Sequence, residues 1–135
     1  MTDSDIQGGC LCGAIRYRSE REPIASVVCH CSFCRRAAGA PSLAWLILPA
    51  EGFAFTQGEP KTYRSSPHVA RGFCDRCGTS ILYRSDTRPD VIDVPTATLD
   101  RPEAFPPQRE IWLGEKIPWE AVNDALPQFP RSSKG

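Results

Sequence analysis

The sequence predicts a single, mainly β domain built from several short antiparallel sheets with little helix, and three observations support this prediction. The chain has 135 residues, which is the length of one ordinary domain. Its thirteen prolines and ten glycines interrupt it too often for long helices. Short segments that alternate apolar and polar residues recur along the chain. We therefore treat residues 1–135 as one domain and expect residues 131–135, which lack apolar anchors, to form a flexible tail.

Strands are predicted where branched or aromatic residues alternate with polar ones between proline, glycine, aspartate or serine clusters. In chain order these segments are 14–18, 26–29, 43–48, 62–64, 69–73, 80–84, 91–94 and 110–113. Helix signals are sparse, with one turn expected at 35–38. A further helix is predicted at 119–126, because Pro118 stands where a helix can begin.

Charge and hydropathy exclude several classes of protein. Lysine plus arginine and aspartate plus glutamate both total 16, so no basic excess attracts nucleic acid, and we expect no nucleic-acid partner. No stretch approaches the roughly 18 apolar residues of a membrane span, and residues 1–9 lack the basic start and apolar run of a signal peptide. We therefore expect a cytoplasmic protein without a membrane partner. No pattern specifies its oligomeric state.

Seven cysteines are the strongest chemical signal in the chain. An odd number cannot pair fully within one chain, and without a secretion signal metal or redox chemistry is favoured over a disulfide framework. The cysteines form a CxC, a CxCxxC and a CxxC motif, which begin at Cys10, Cys29 and Cys74. Zinc takes four protein ligands in a closed structural site and usually three in an open catalytic one. Seven cysteines therefore predict two zinc ions per chain.

Two glycines indicate which motifs share the closed site. Gly13 follows the last cysteine of the CxC motif, and Gly78 follows that of the CxxC motif. Glycine permits the positive φ and the close backbone approach that a tight metal knuckle often requires. We therefore predict that four cysteines hold the structural zinc: Cys10, Cys12, Cys74 and Cys77.

The other three cysteines lie within six consecutive residues and would form the second, open zinc site. These candidate catalytic residues are Cys29, Cys31 and Cys34. Three thiolates leave the zinc site with a net negative charge, so the adjacent Arg35 and Arg36 would either balance it or bind an anionic substrate. His30 stands between two ligands on a predicted strand, so its side chain would point away from their metal, and a hydrogen-bonding or structural role is favoured over ligation.

A zinc ribbon is the alternative grouping of the cysteines. It would join Cys31 and Cys34 to Cys74 and Cys77 and leave three ordinary thiols. The 39-residue spacer between its two halves is longer than is common, which favours the grouping into four and three.

The cysteine motifs and their flanks closely resemble the glutathione-dependent formaldehyde-activating enzyme family, which includes a centromere-associated relative. The resemblance covers nearly the whole chain, through GGCLCGAIRY, VCHCSFCRRAAGAPS, TYRSS, RGFCDRCGTSILYR and the closing TATLDRP and IPWEAVNDALP. It implies a mainly β zinc fold similar to that of the guanine-nucleotide exchange factor Mss4. By motif position, it also implies the same division of the cysteines between a structural and a second zinc.

The same resemblance implies an activity. Family members join glutathione and formaldehyde to give S-hydroxymethylglutathione, and they are classed with carbon–sulfur lyases. We therefore expect a zinc-dependent, lyase-like enzyme whose partner is a small-molecule thiol substrate, either a glutathione adduct or another small thiol conjugate. The two arginines after the second motif would suit the carboxylates of glutathione. The alternative is a non-catalytic, zinc-stabilised protein-interaction module.

Overall fold

The computed structural model describes residues 6–133, and within that range it contains ten β-strands and one α-helix. The helix, α1, spans Ser32–Ala38, and three short 3-10 turns cover Thr96–Thr98, Pro102–Ala104 and Leu113–Glu115. The strands are β1 (Ile6–Gly9), β2 (Arg16–Ser19), β3 (Ala25–Cys29), β4 (Leu43–Pro49), β5 (Phe53–Gln57), β6 (Lys61–Ser66), β7 (Val69–Phe73), β8 (Ser80–Ser85), β9 (Val91–Pro95) and β10 (Arg109–Ile111). The predicted mainly β class with little helix is confirmed.

The strands form two sheets. A three-stranded sheet has the order β1-β2-β5, and a seven-stranded sheet has the order β10-β3-β4-β9-β8-β7-β6. All neighbouring strands are antiparallel, as predicted, except β10, which pairs with β3 in parallel and places Ile111 opposite Cys29. The three-stranded sheet includes β1 and β5, neither of which was predicted from the sequence.

Strand β4 lies between β3 and β9 and divides the apolar interior in two. Its successive side chains point to opposite faces of the sheet. Leu46 and Leu48 are fully buried in the larger cluster, together with Ile6 and Tyr17 of the three-stranded sheet. Trp45 joins a second cluster with residues of β3 and α1. Both faces of the seven-stranded sheet are therefore covered over part of their area.

The C-terminal segment lies along the outer side of β10. The backbone N–H of Glu110 donates to the carbonyl of Pro127, and the carbonyl of Glu110 accepts from the N–H of Phe129, both at 2.9 Å. Further along, the carbonyl of Arg131 accepts from the N–H of Trp112, and the hydroxyl of Ser133 accepts from the Arg109 guanidinium. Residues 134 and 135 lie outside the described residues, and the flexible tail expected at 131–135 stays a prediction.

A buried hydrogen-bonded pair connects β10 to the end of β3. His30 Nε2 lies 2.6 Å from Glu110 Oε1, and the two side chains are 1% and 6% exposed. The second carboxylate oxygen of Glu110 accepts the backbone N–H of Asn123 at 3.1 Å. The hydrogen-bonding role expected for His30 is therefore confirmed.

The helix predicted at 119–126 is wrong. The ammonium group of Lys116 donates hydrogen bonds to the carbonyls of Ile117, Pro118 and Glu120. It thus occupies acceptors that a helix beginning there would use for its own N–H groups. Asn123 then caps a local turn through its side chain, which accepts from the N–H of Ala125. The single turn expected at 35–38 is instead part of the longer helix α1.

We predict that Glu110→Ala lowers the free energy of unfolding by about 2–5 kcal/mol, because it leaves buried His30 and the Asn123 N–H without their acceptors. The control is Glu51→Ala, which removes an exposed pair with Arg21 and should cost about 1 kcal/mol or less. Urea unfolding of both variants at fixed metal content measures the difference. Equal losses in the two variants would contradict the prediction.

Candidate metal centres and cavity

Four cysteine sulfurs meet where the loop after β1 approaches the turn between β7 and β8. They belong to Cys10, Cys12, Cys74 and Cys77, and all lie within 4.8 Å of one another. Cys12 Sγ is 3.8 Å from Cys74 Sγ, although 62 positions separate the two residues in the chain. Four thiol groups gathered in this way match the donor set of a closed tetrahedral metal site.

The backbone around this four-cysteine cluster is shaped as two knuckles. Gly13 and Gly78 share a φ of 82°, in the left-handed region. Each donates its N–H to the carbonyl of the first cysteine of its motif, Cys10 or Cys74. Two further N–H groups, of Ile15 and Arg76, point at cysteine sulfurs at 3.3 and 3.4 Å. These two donors point at the sulfurs of Cys10 and Cys74.

The other three cysteines gather at the start of α1. Their sulfurs, on Cys29, Cys31 and Cys34, lie within 4.8 Å of one another. Cys31 is the N-cap of α1, and its sulfur accepts the N–H of Cys34 at 3.3 Å. Hydrogen bonds from the Cys29 and Cys34 thiols lower the pKa of Cys31 well below its ordinary value, and the interaction with Cys31 raises that of Cys29. This three-cysteine cluster could therefore hold a metal ion as well.

A cavity of about 420 Å³ opens beside the three-cysteine cluster, on the face of the seven-stranded sheet opposite Leu46 and Leu48. One side is apolar and includes Val27, Trp45, Ile47, Ile111 and Trp112. The other side is polar and includes Ser65, Arg71, Tyr83, Arg88 and Asp93. Such a concave, mainly apolar space with a few converging polar groups is typical of a small-molecule site.

Arg71 carries its positive charge into this cavity. Both of its terminal nitrogens lie 3.9 Å from Cys34 Sγ, and its Nε donates to Ser65 Oγ at 3.1 Å. Its guanidinium carbon lies 4.9 Å from the centre of the Tyr83 ring, in a cation–π contact. Arg71 is therefore held in place beside the cysteine sulfurs.

Asp93 is a buried carboxylate in the same cavity. Its oxygens lie 3.4 and 3.5 Å from the terminal nitrogens of Arg88. Burial raises the pKa of Asp93 to about 6, and the charge of Arg88 offsets part of that shift. Strand register places Arg71 opposite Tyr83, and Tyr83 opposite Asp93, so the three side chains form one row across β7, β8 and β9.

The structure brings the seven cysteines together as four and three and separates the two pairs that a zinc ribbon would join. Arg35 and Arg36 lie on α1, but neither lines the cavity. Sequence reasoning missed Arg71, Arg88 and Asp93 as site residues. Alternation within their strands could have placed Arg71 and Asp93 on a common face, but only if the strand register had been known.

Within residues 6–133, no helix combines the length and the apolar character that crossing a lipid bilayer requires.

Comparisons with known proteins give a consistent result. The sequence profile described as "Glutathione-dependent formaldehyde-activating enzyme" matches residues 5–115. An uncharacterized lyase from Schizosaccharomyces pombe is 30% identical over 79 residues, which cover 58% of this chain and 57% of that protein. The chain thus matches little more than half the length of that relative. A crystal structure of a Rhodobacter sphaeroides protein shares the fold, with a TM-score of 0.60, 20% identity and coverage of 90% of this chain and 98% of that one.

We predict that Gly78→Ala destabilises the protein by about 1–2 kcal/mol, because an L side chain is strained at a φ of 82°. A Cβ at this position would meet no atom within 4 Å. Any loss of stability would therefore come from backbone strain and not from a packing clash. Gly78→Asn is the matched variant and should lose less, since asparagine tolerates the left-handed region better. Thermal unfolding of the two variants at equal metal content provides the test, and an unchanged Gly78→Ala would contradict it.

Proposed function

The chain belongs to the glutathione-dependent formaldehyde-activating enzyme family, and from this premise we propose that it is a zinc-dependent carbon–sulfur lyase-like enzyme. Its proposed substrate is a glutathione adduct of the S-hydroxymethylglutathione type, or another small thiol conjugate. The observation that carries this proposal is the position of the cavity, which opens directly onto the three-cysteine cluster. An interaction module would need no such opening beside its metal ligands.

The two cysteine clusters suit two different zinc sites. The four-cysteine cluster supplies a complete ligand set and would hold a structural ion. The three-cysteine cluster supplies one ligand fewer and would leave one position for a substrate group, with cavity space beside it. When bound there, zinc supplies Lewis acidity, which favours a bound thiolate and polarises a carbonyl or hydroxymethyl oxygen.

Arg71 is the cation that we assign to a substrate carboxylate, in place of Arg35 and Arg36. Its guanidinium faces the cavity and is oriented by Ser65 and Tyr83, so a carboxylate would meet a donor that is already in place. Its charge also offsets the negative charge that three thiolates leave at the zinc site. The same side chain can therefore support both the metal site and substrate binding.

The apolar side of the cavity would shield the reacting groups from water. Trp45, Ile111 and Trp112 pack with the second apolar cluster, and Phe33 of α1 lies at the cavity with its side chain about half exposed. Exclusion of water strengthens the interactions of charged groups inside the site. Arg71 would thus bind a carboxylate more tightly than an exposed arginine could.

We expect zinc analysis of freshly reduced protein to give two ions per chain, with glutathione perturbing one of them. Cys31→Ser should lose one zinc and the activity but stay folded. Cys77→Ser should fail to fold, because structural zinc contributes roughly 10 kcal/mol or more. Elemental analysis, circular dichroism and the rate of S-hydroxymethylglutathione formation measure these outcomes. One zinc with three titratable thiols, or two zincs without activity or glutathione binding, would refute the proposal.

We predict that Arg71→Met raises the KM for the glutathione adduct by about 10–100-fold, the loss expected for one hydrogen bond between charged groups. Arg36→Met removes an exposed cation on α1 outside the cavity and should leave KM unchanged. Steady-state kinetics with zinc content measured in parallel separate lost substrate binding from lost metal. Equal KM values for the two variants would remove Arg71 from the substrate site.

A further inference from the structure

The cavity beside the three-cysteine cluster is larger than a hydroxymethyl group requires. Its volume is about 420 Å³. A group of one carbon and one oxygen occupies roughly 60 Å³, twice the volume of a water molecule in the liquid. An apolar protein cavity of about 150 Å³ already accepts a benzene ring. The cavity therefore has room for a bulky substituent in addition to a thiol.

Strand register places the apolar side of the cavity next to the side chain of Cys29. Val27 lies two residues before Cys29 on β3, so both side chains point to the same face of the sheet. Ile111 stands opposite Cys29 on the neighbouring strand β10. Trp45 stands opposite Val27 on β4 and packs with Cys29 and Cys34 in the second apolar cluster. The strand neighbours of Cys29 that line the cavity are therefore apolar.

The backbone at Trp112 adds a second tryptophan ring to this apolar side. Successive side chains of a strand point to opposite faces, so Ile111 and Trp112 would not share one cavity if β10 continued through both. Instead, β10 ends at Ile111, and Trp112 has a φ of 59°, in the left-handed region. Both side chains line the cavity as a result. Such strain in a bulky residue is found mainly at active sites and ligand-binding sites.

The apolar side is rigid at its base and accessible at its edge. Trp45 is 5% exposed, and its ring meets the Tyr83 ring edge-on, with 5.7 Å between the centroids. Ile111 and Trp112 are only partly buried, and Phe33 at the cavity is 53% exposed. Each CH₂ group that a ligand removes from water against such a surface raises affinity by about fourfold. A hydroxymethyl group has little apolar surface to contribute.

We infer that the substrate carries a bulky apolar group on the carbon next to its sulfur, so the site selects thiol adducts of larger apolar aldehydes over the formaldehyde adduct. The inference rests on the proposed function, because it places the substrate sulfur at the three-cysteine cluster. When the adduct forms, the thiol sulfur bonds to the carbonyl carbon and the thiol proton passes to the carbonyl oxygen. Carbon and sulfur keep their oxidation states, so the reaction requires no oxidant or reductant.

The test compares acetaldehyde with pentanal on the zinc-loaded full chain, with glutathione as the thiol for both. The two aldehydes have similar electrophilicity and differ by three CH₂ groups. We expect kcat/KM for adduct formation, measured by NMR exchange and corrected for the uncatalysed rate, to be at least about tenfold higher for pentanal. Calorimetry with the stable thioethers S-methylglutathione and S-butylglutathione makes the same comparison without turnover, and the butyl thioether should bind more tightly.

The matched variants are Ile111→Thr and Ile24→Thr. Both exchange the same apolar side chain for a β-branched one with a hydroxyl group, in the cavity wall in the first case and outside the cavity in the second. Ile24 is 57% exposed and immediately precedes β3. We expect Ile111→Thr to lower the preference for pentanal by about threefold and Ile24→Thr to preserve it. Zinc content is measured in parallel, because loss of metal would slow the reaction of every aldehyde.

The outcomes separate this inference from the proposed function. A wild-type protein that accelerates adduct formation with neither formaldehyde nor the two larger aldehydes refutes both. Acceleration with formaldehyde and equal kcat/KM values for acetaldehyde and pentanal overturn the inference and leave the proposed function intact, whether or not Ile111→Thr folds. A folded Ile111→Thr that keeps the full preference for pentanal also overturns the inference, because the apolar group would then lie elsewhere.

Discussion

The alternation of side chains along β4 is the constraint on which the rest of the structure depends. Leu46 and Leu48 face the three-stranded sheet, while Trp45 and Ile47 face the cavity. Because β4 pairs with β3 on one side and β9 on the other, this alternation also fixes the faces of Cys29 and Asp93. A slip of one residue would turn every one of these side chains to the opposite face. The main core and the cavity are thus specified by the same register.

The two cysteine clusters lie in different surroundings: one packs into the main core and the other lines the cavity. The four-cysteine cluster contributes Cys10 and Cys74 to the main core and joins the loop after β1 to the turn after β7, which belong to different sheets. The three-cysteine cluster packs with Trp45 and opens to the cavity. In the metal-bound protein that we propose, binding energy at the first cluster would offset the cost of a partly open, polar face at the second. A closed metal site at the four-cysteine cluster would thus allow the three-cysteine cluster to stay accessible from the cavity.

Much of this arrangement could be predicted from the sequence because the cysteine motifs are local. Spacing and the glycines after Cys12 and Cys77 suffice to group the sulfurs as the structure has them. The row of Arg71, Tyr83 and Asp93 could not be predicted, because it depends on the register of three strands that are separated by turns. Proximity in sequence to Cys34 did not place Arg35 and Arg36 in the lining of the cavity. Successive helical residues point about 100° apart, so neighbours of Cys34 on α1 need not share its direction.

The C-terminal segment shows how a site can depend on residues without a strong pattern of their own. Trp112 has a φ of 59°, a conformation that is strained for a bulky residue and persists only where its surroundings impose it. Its N–H bonds the carbonyl of Arg131, and the next two residues, Ser132 and Ser133, line the cavity. The backbone of this segment therefore holds Trp112 against the three-cysteine cluster. Ser132 and Ser133 have no apolar side chains to bury, yet they supply part of the cavity wall, because backbone hydrogen bonds hold the segment beside Trp112.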